Sequence, residues 1–294
     1  MCEGNTKILY NFATAKRGAY KLLKCINCHF LRISPIPEQK IINDLYLNNS
    51  MSEKQLDNEV FSSSVLTSIK KNILIKPLIN RLYKIIDKTD SPKLLDIGCS
   101  TGWITSLSKE SGFEVTGLEA NSYVANYGRK KYAINIMEGF IEDLNTDEKF
   151  DAVTMFHVLE HISDPIKMLS KVHGLLDERG KLLVVIPNAG SLGVNIFKRS
   201  YNWNIPHHIS FFSPDTIQDI LDQSGFRTLK IVHLTSPPLM LYSYNRYMRK
   251  RRRNGKMSFR IHNWIAANAL FAPLSFIGKL LSRGEVIAVY GEKI

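Results

Sequence analysis

The stretch Lys93-Leu94-Leu95-Asp96-Ile97-Gly98-Cys99-Ser100-Thr101-Gly102-Trp103-Ile104-Thr105 decides the fold. Residues 94–97 form a short apolar run, the pattern of a buried parallel strand. Residues 98–102 form a turn of small residues, and a helix is expected over 103–111. Strand, glycine turn, helix is the setting of nucleotide-binding loops. Without a Cβ, Gly98 and Gly102 permit positive φ and a close approach of ligand to backbone. The loop does not match GxGxxG, which argues against a dinucleotide pyrophosphate. Asp96 puts a carboxylate at the strand's carboxyl end, where a cationic ligand group could be held.

Downstream, strand and helix patterns alternate. Strands are expected at 93–97, 114–118, 133–137, 150–156 and 181–186, with helices at 122–132 and 165–176. Ser213 reads as an N-cap with Pro214 at the first helical position, and Gly225 closes that helix after Gln223. Two further strands are expected at 226–234 and 285–291. Repeated βα units imply a parallel sheet with helices on both faces and ligands at the strands' carboxyl ends. The distinctive polar residues fall at those ends: Asp96, Glu119, residues 140–143 and residues 157–161. Glu119 stands 21 residues after Gly98, where an acid can accept both hydroxyls of a ribose. The ligand is then ribose-bearing, without a pyrophosphate, and cationic; S-adenosylmethionine (SAM) fits.

The chain of 294 residues carries a net charge of +12, and the excess is uneven. Residues 246–294 hold eleven Lys and Arg against two Asp and Glu, a net of +9. A tail this basic suits a phosphate-rich partner. Residues 1–5 are polar and no apolar stretch follows, so a cytoplasmic location is expected. Four cysteines (Cys2, Cys25, Cys28, Cys99) are too few for a disulfide scaffold. Cys25-Ile26-Asn27-Cys28-His29 is half of a zinc site; Cys2, Cys25 and Cys28 are the candidate structural zinc ligands, with a pair of buried cysteines in a small hairpin as the alternative. Residues 37–90 read mainly as helix, interrupted at Pro77.

At this point the sequence resembles a family. LLDIGCSTGWIT (94–105), VTGLEAN (115–121), FDAVTMFHVLEHISDP (150–165), LLDERGKLLVVIPN (175–188) and HHISFFSPDTIQDILDQSGF (207–226) are similar to class I SAM-dependent methyltransferases of the bacterial small-molecule and sugar branch. The resemblance spans about 85–235. It implies an α/β fold: a Rossmann-like, seven-stranded, mostly parallel sheet with helices on both faces and an antiparallel last strand. The CxxC segment resembles a zinc-binding lead domain on some sugar methyltransferases, although its first CxxC is reduced here to Cys2. The expected organisation is a lead segment (1–36), a helical cover (37–90), the SAM-binding core (91–235), a basic and apolar helical insertion (236–284) and the last strand (285–294).

The resemblance also implies roles. The loop Gly98, Cys99, Ser100 and Gly102 would wrap the methionine part of SAM, with Asp96 near its ammonium. Glu119 would hold the ribose and Ala120 would line the adenine pocket. The usual acid after the third strand is replaced by Phe140, which passes the adenine contact to Ile141, Glu142 or Asp143. Phe156 and His157 would close over the methionine side. An acceptor hydroxyl must lose a proton, and imidazole near neutral pH is the usual agent. His161 is the first candidate and His207 and His208 the next; the alternative gives His161 a structural role at the sheet end. The adjacent pair His207 and His208 cannot readily share one metal ion.

The insertion runs from an aromatic segment into Arg249-Lys250-Arg251-Arg252-Arg253 and then a mainly apolar stretch over 264–281. Eighteen residues with a central Pro make a poor membrane span. Peripheral contact with an anionic membrane through 246–281 and a helical lid over the substrate weigh equally, with nucleic acid third. The expected activity is O-methylation of a saccharide or glycan-related acceptor. The rivals are a quinone or lipid-like acceptor, and an inactive RNA-binding protein of the same fold.

Overall fold

The computed structural model describes residues 5–14, 18–38, 70–87, 90–251 and 264–294. Cys2, most of the segment 37–69 and Arg252–Arg253 lie outside them. After strands β1 (Thr6–Thr14), β2 (Gly18–Cys25) and β3 (Leu31–Ser34), a π-helical turn Lys70–Ile75 leads into α1 (Lys76–Ile85). Pro77 sits in the first turn of α1, where its missing N–H costs nothing.

The central unit follows: β4 (Lys93–Ile97), α2 (Trp103–Glu110), β5 (Glu114–Glu119), α3 (Ser122–Tyr132), β6 (Asn135–Glu138), β7 (Phe150–Phe156), α4 (Pro165–Leu175) and β8 (Leu176–Pro187). The chain continues through α5 (Leu192–Phe197), β9 (Ser210–Phe211), α6 (Pro214–Gln223), β10 (Phe226–Leu234), α7 (Pro237–Arg251), α8 (Trp264–Leu280) and β11 (Val286–Lys293). Seven strands form one sheet in the order β10-β11-β8-β7-β4-β5-β6. β4 pairs parallel with β5 and β7, and β7 with β8; β11 runs antiparallel between β8 and β10. This is the Rossmann-like arrangement the sequence implies.

Each face of the sheet buries its own apolar layer. On one, Leu95, Ile97, Val153 and Met155 pack with Met168, Leu169 and Val172 of α4 and Ile217, Ile220 and Leu221 of α6. On the other, Leu94, Ala152 and Leu183 pack with Leu78, Ile79 and Leu82 of α1 and with Leu107 of α2. The alternation of neighbouring strand residues between these two sets is the period of two that a sheet imposes.

A second, four-stranded sheet has the order β1-β2-β3-β9. Its first three strands come from the lead segment; the fourth is donated by the loop after β8, with Leu31 opposite Phe211. One apolar core joins Phe12, Leu22 and Ile33 of this sheet to Tyr201 and Trp203 of the loop and to Met240, Leu241 and Phe271 of α7 and α8. The lead segment and the insertion, read separately in the sequence, are therefore two parts of one packed cap.

Candidate active site

A cavity of about 730 Å³ opens at the carboxyl ends of β4, β5 and β7. Gly98, Ser100, Glu119, Ala120, Ile141, Glu142, Phe156, His157, His161 and His207 line it. The other anticipated residues, Asp96, Cys99, Gly102 and His208, do not.

The loop's geometry explains its glycines. Gly98 has φ +68°, and a Cβ there would lie 2.6 Å from Val158 Cγ2. Gly102 has φ +74°, and its Cβ would lie 2.5 Å from Ile134 Cδ1. Gly102 is thus required for packing and turn geometry beneath the loop. Cys99 is buried, with its Sγ 2.6 Å from the position a Gly117 Cβ would take, so it fills space under the loop. Burial pushes its thiol well above the ordinary range.

Asp96 corrects the expectation of a carboxylate beside the ligand. It is buried, and both oxygens accept hydroxyl hydrogen bonds, Oδ2 from Thr105 at 2.6 Å and Oδ1 from Thr154 at 2.7 Å. Asp96 therefore ties α2 and β7 to β4. Burial raises its carboxyl to about 6 against the pull of the two hydroxyls.

Glu119 does face the cavity. Its Oε2 accepts the Ser100 N–H at 2.9 Å and its Oε1 the Asn121 N–H at 2.9 Å. A carboxylate offers about four lone-pair sites, so each oxygen retains capacity for a hydroxyl, as a ribose diol needs. Burial raises its pKa, and the backbone donors oppose that rise. Beside it, Gly139 donates its N–H to Glu119 O at 3.0 Å, with φ +135° and open space where a Cβ would point. Glu119, Glu142 and Asp143 make this end acidic in a strongly basic protein, which suits a cationic sulfonium. The residues present fit SAM.

Next to the loop, around Val158, is a cluster that spacing alone could not assemble. His157 has φ +58°, a strained conformation for a residue with a side chain. Its N–H is fixed on Val185 O at 2.8 Å, and its Nδ1 lies 3.0 Å from Glu160 Oε1. A carboxylate accepts, so Nδ1 carries the hydrogen and Nε2 is the basic nitrogen. His161 Nδ1 lies 2.8 Å from the backbone oxygen of His207, which fixes the same tautomer there. Glu160 is buried at 1% exposure, and its Oε2 makes no hydrogen bond. Burial pulls Glu160 upward, but His157 and the neighbouring imidazoles bring it below the usual carboxylate range. Burial pushes the His208 imidazole well below its ordinary range, and the residue does not line the cavity.

The imidazole that meets His161 is His208, edge to face with ring centroids 4.9 Å apart, while His207 contributes its carbonyl. Ligand atoms of Glu160, His161 and His208 lie within 4.8 Å of one another, a donor set a divalent cation accepts. The zinc set Cys2, Cys25 and Cys28 gains no support. Cys25 closes the hairpin, its N–H donating to Phe30 O at 3.0 Å, and Cys28 packs against the core. Neither belongs to a three-ligand group among the described residues.

The cap is fastened to this cluster. The Ile209 N–H donates to Glu160 O at 2.8 Å, and Ser210 Oγ to Ile162 O at 2.7 Å. Sequence reasoning missed Glu160 as the hub and Thr105 and Thr154 as the Asp96 partners. The spacing His157, Glu160, His161 is the signal that points to the first.

A family model described as methyltransferase domain matches residues 70–231. Among curated proteins, the chain is similar to a ubiquinone biosynthesis O-methyltransferase of Rickettsia felis, 24% identical over 54% of this chain and 72% of that protein. It is also similar to one of the same name from Actinobacillus pleuropneumoniae, 30% identical over 39% of this chain and only 54% of that protein. Among solved structures, a SAM-dependent methyltransferase of Thermotoga maritima shares the fold at TM-score 0.50 and 18% identity, covering 81% of this chain and 98% of that one. With the family match spanning more than half its length and the sheet order that accompanies it, the chain belongs to the class I SAM-dependent methyltransferases.

Proposed function

We propose that the protein transfers the SAM methyl group to a ring hydroxyl of a quinone-type acceptor. The carrying observation is that Glu119 and His157 line one cavity, with buried Glu160 behind His157 at 3.0 Å. The acceptor class is supported by the relatives named for ubiquinone biosynthesis and by apolar Phe156, Ile162 and Met168 on the cavity wall. These favour a ring over the saccharide expected from sequence. When bound, SAM supplies an electrophilic methyl on a sulfonium. Glu119 and the loop from Gly98 to Ser100 hold its ribose and amino-acid portions. His157 Nε2 takes the proton from the acceptor hydroxyl, and Glu160, already ionised, stabilises the imidazolium that forms. His161, first choice from sequence, takes a binding role on the same wall.

The test is transfer of labelled methyl from SAM to a hydroxylated benzoquinone precursor and, in parallel, to a saccharide. Label is expected in the ring ether, with kcat lowered ~10²- to 10⁴-fold in His157→Gln and SAM affinity unchanged. Label confined to the saccharide would overturn the acceptor assignment, and an unaltered kcat in His157→Gln would overturn the base.

A further inference from the structure

The pair Cys25 and Cys28 serves neither the SAM end nor the acceptor wall, since neither residue lines the main cavity. Both line a second cavity of about 380 Å³, between one face of the small sheet and helices α4 and α6. Leu23, Phe30, Ile166 and Ile220 give it apolar walls, and the exposed side chains of Asp219 and Gln223 carry it to the surface. Cys25 is buried at 5% exposure and Cys28 is half-buried, so Cys28 is the more accessible thiol.

The backbone holds the two cysteines in one turn. Residues 26–28 form the turn that follows β2. The Cys25 N–H donates to Phe30 O at 3.0 Å, and the Ile26 N–H to Asn5 O at 3.0 Å. His29, at φ +62°, bends the chain back toward the first of these bonds. Residues three positions apart in such a turn have Cα atoms within about 7 Å, and a disulfide spans about 4.4–6.8 Å. Closing a bond between the two therefore asks little of the flanking strands. Both are unbridged thiols in the structure.

A CxxC pair outside a disulfide scaffold serves a metal or redox chemistry. A metal site needs further ligands, and among the described residues no third ligand joins this pair. A dithiol needs none. The Arg32 guanidinium lines the same cavity and suits the carboxylates of glutathione.

We propose that Cys25 and Cys28 form a redox-active pair that oxidised glutathione closes to a disulfide. The Cys28 thiolate attacks one sulfur of glutathione disulfide, forming a mixed disulfide and releasing one glutathione. The Cys25 thiolate then attacks the Cys28 sulfur and releases the second glutathione. Two thiol protons and two electrons leave the protein on two molecules of reduced glutathione. This chemistry stands whichever acceptor is methylated.

The experiment incubates the reduced full chain with ~1 mM oxidised glutathione, quenches with acid and maps remaining thiols by alkylation and peptide mass. The Cys25–Cys28 bridge is expected to exceed any bridge involving Cys2 or Cys99 at least ~10-fold, and reduced glutathione in excess should reopen it. Cys25→Ser should stop the reaction at a glutathione adduct on Cys28, while Cys2→Ser should form the bridge as the wild type does. SAM affinity by calorimetry should differ less than ~2-fold between the reduced and oxidised chains, reporting that both are folded. Thiols that stay reduced at Cys25 and Cys28 would overturn the proposal. So would a predominant bridge from either to Cys2, or protection of both by bound zinc that a chelator relieves.

Discussion

Asp96 shows how far a residue's role depends on what faces it. From sequence it is an acid at a strand end beside a glycine loop; in the fold its oxygens are taken by Thr105 and Thr154. Its folded pKa of about 6 lies above the ordinary 3.8. The stability it contributes is full below pH ~4 and is lost as pH rises through about 6. Two units at ~1.4 kcal/mol each give ~3 kcal/mol. Asp96→Asn removes the ionisation, so the wild type should lose up to ~3 kcal/mol relative to the variant between pH 4 and pH 7 in denaturant unfolding. A difference independent of pH would contradict the burial argument. Glu119 was legible because the spacing from Gly98 fixes which strand end it occupies. Glu160 was not, because its surroundings include His208, which arrives from a loop more than forty residues later.

Elements built from local signals were read closely. The capping box at Ser213 and Thr216, with Pro214 behind the cap, starts α6 where expected, and α3 and β7 match to the residue. β8 is longer than expected. Glu178-Arg179-Gly180 lies within the strand as a bulge, Arg179 at φ +60° and the pairing with β7 shifting register there. β9 was illegible: two residues that pair with β3, far away in sequence. Loop Trp203 is the anchor of that region, 2% exposed and packed edge to face on Tyr201 and Phe211. Trp203→Ala should destabilise the protein by ~3–5 kcal/mol. Because the cap core is separate from the SAM end of the cavity, SAM affinity measured on the folded variant should change less than twofold while acceptor turnover falls. Loss of SAM binding with intact folding would contradict that separation.

At the scale of the molecule, an acidic pocket sits in a chain of net charge +12. In sequence, the positive excess lies in residues 246–294, with a net of +9. The sheet, built by repeated local units, sets the cofactor end. The cap, built by long-range pairing, is joined to the end of the sheet by the hydrogen bonds at Glu160 and Ile162. This division explains why the cofactor was legible in the sequence and the acceptor was not. The most direct measurement is titration of the purified chain with SAM by calorimetry, wild type beside Glu119→Ala. The account predicts one SAM per chain and at least ~10-fold weaker binding in the variant, the loss of a charged hydrogen-bond acceptor for the ribose. No SAM binding by the wild type, or equal affinity in Glu119→Ala, would contradict it.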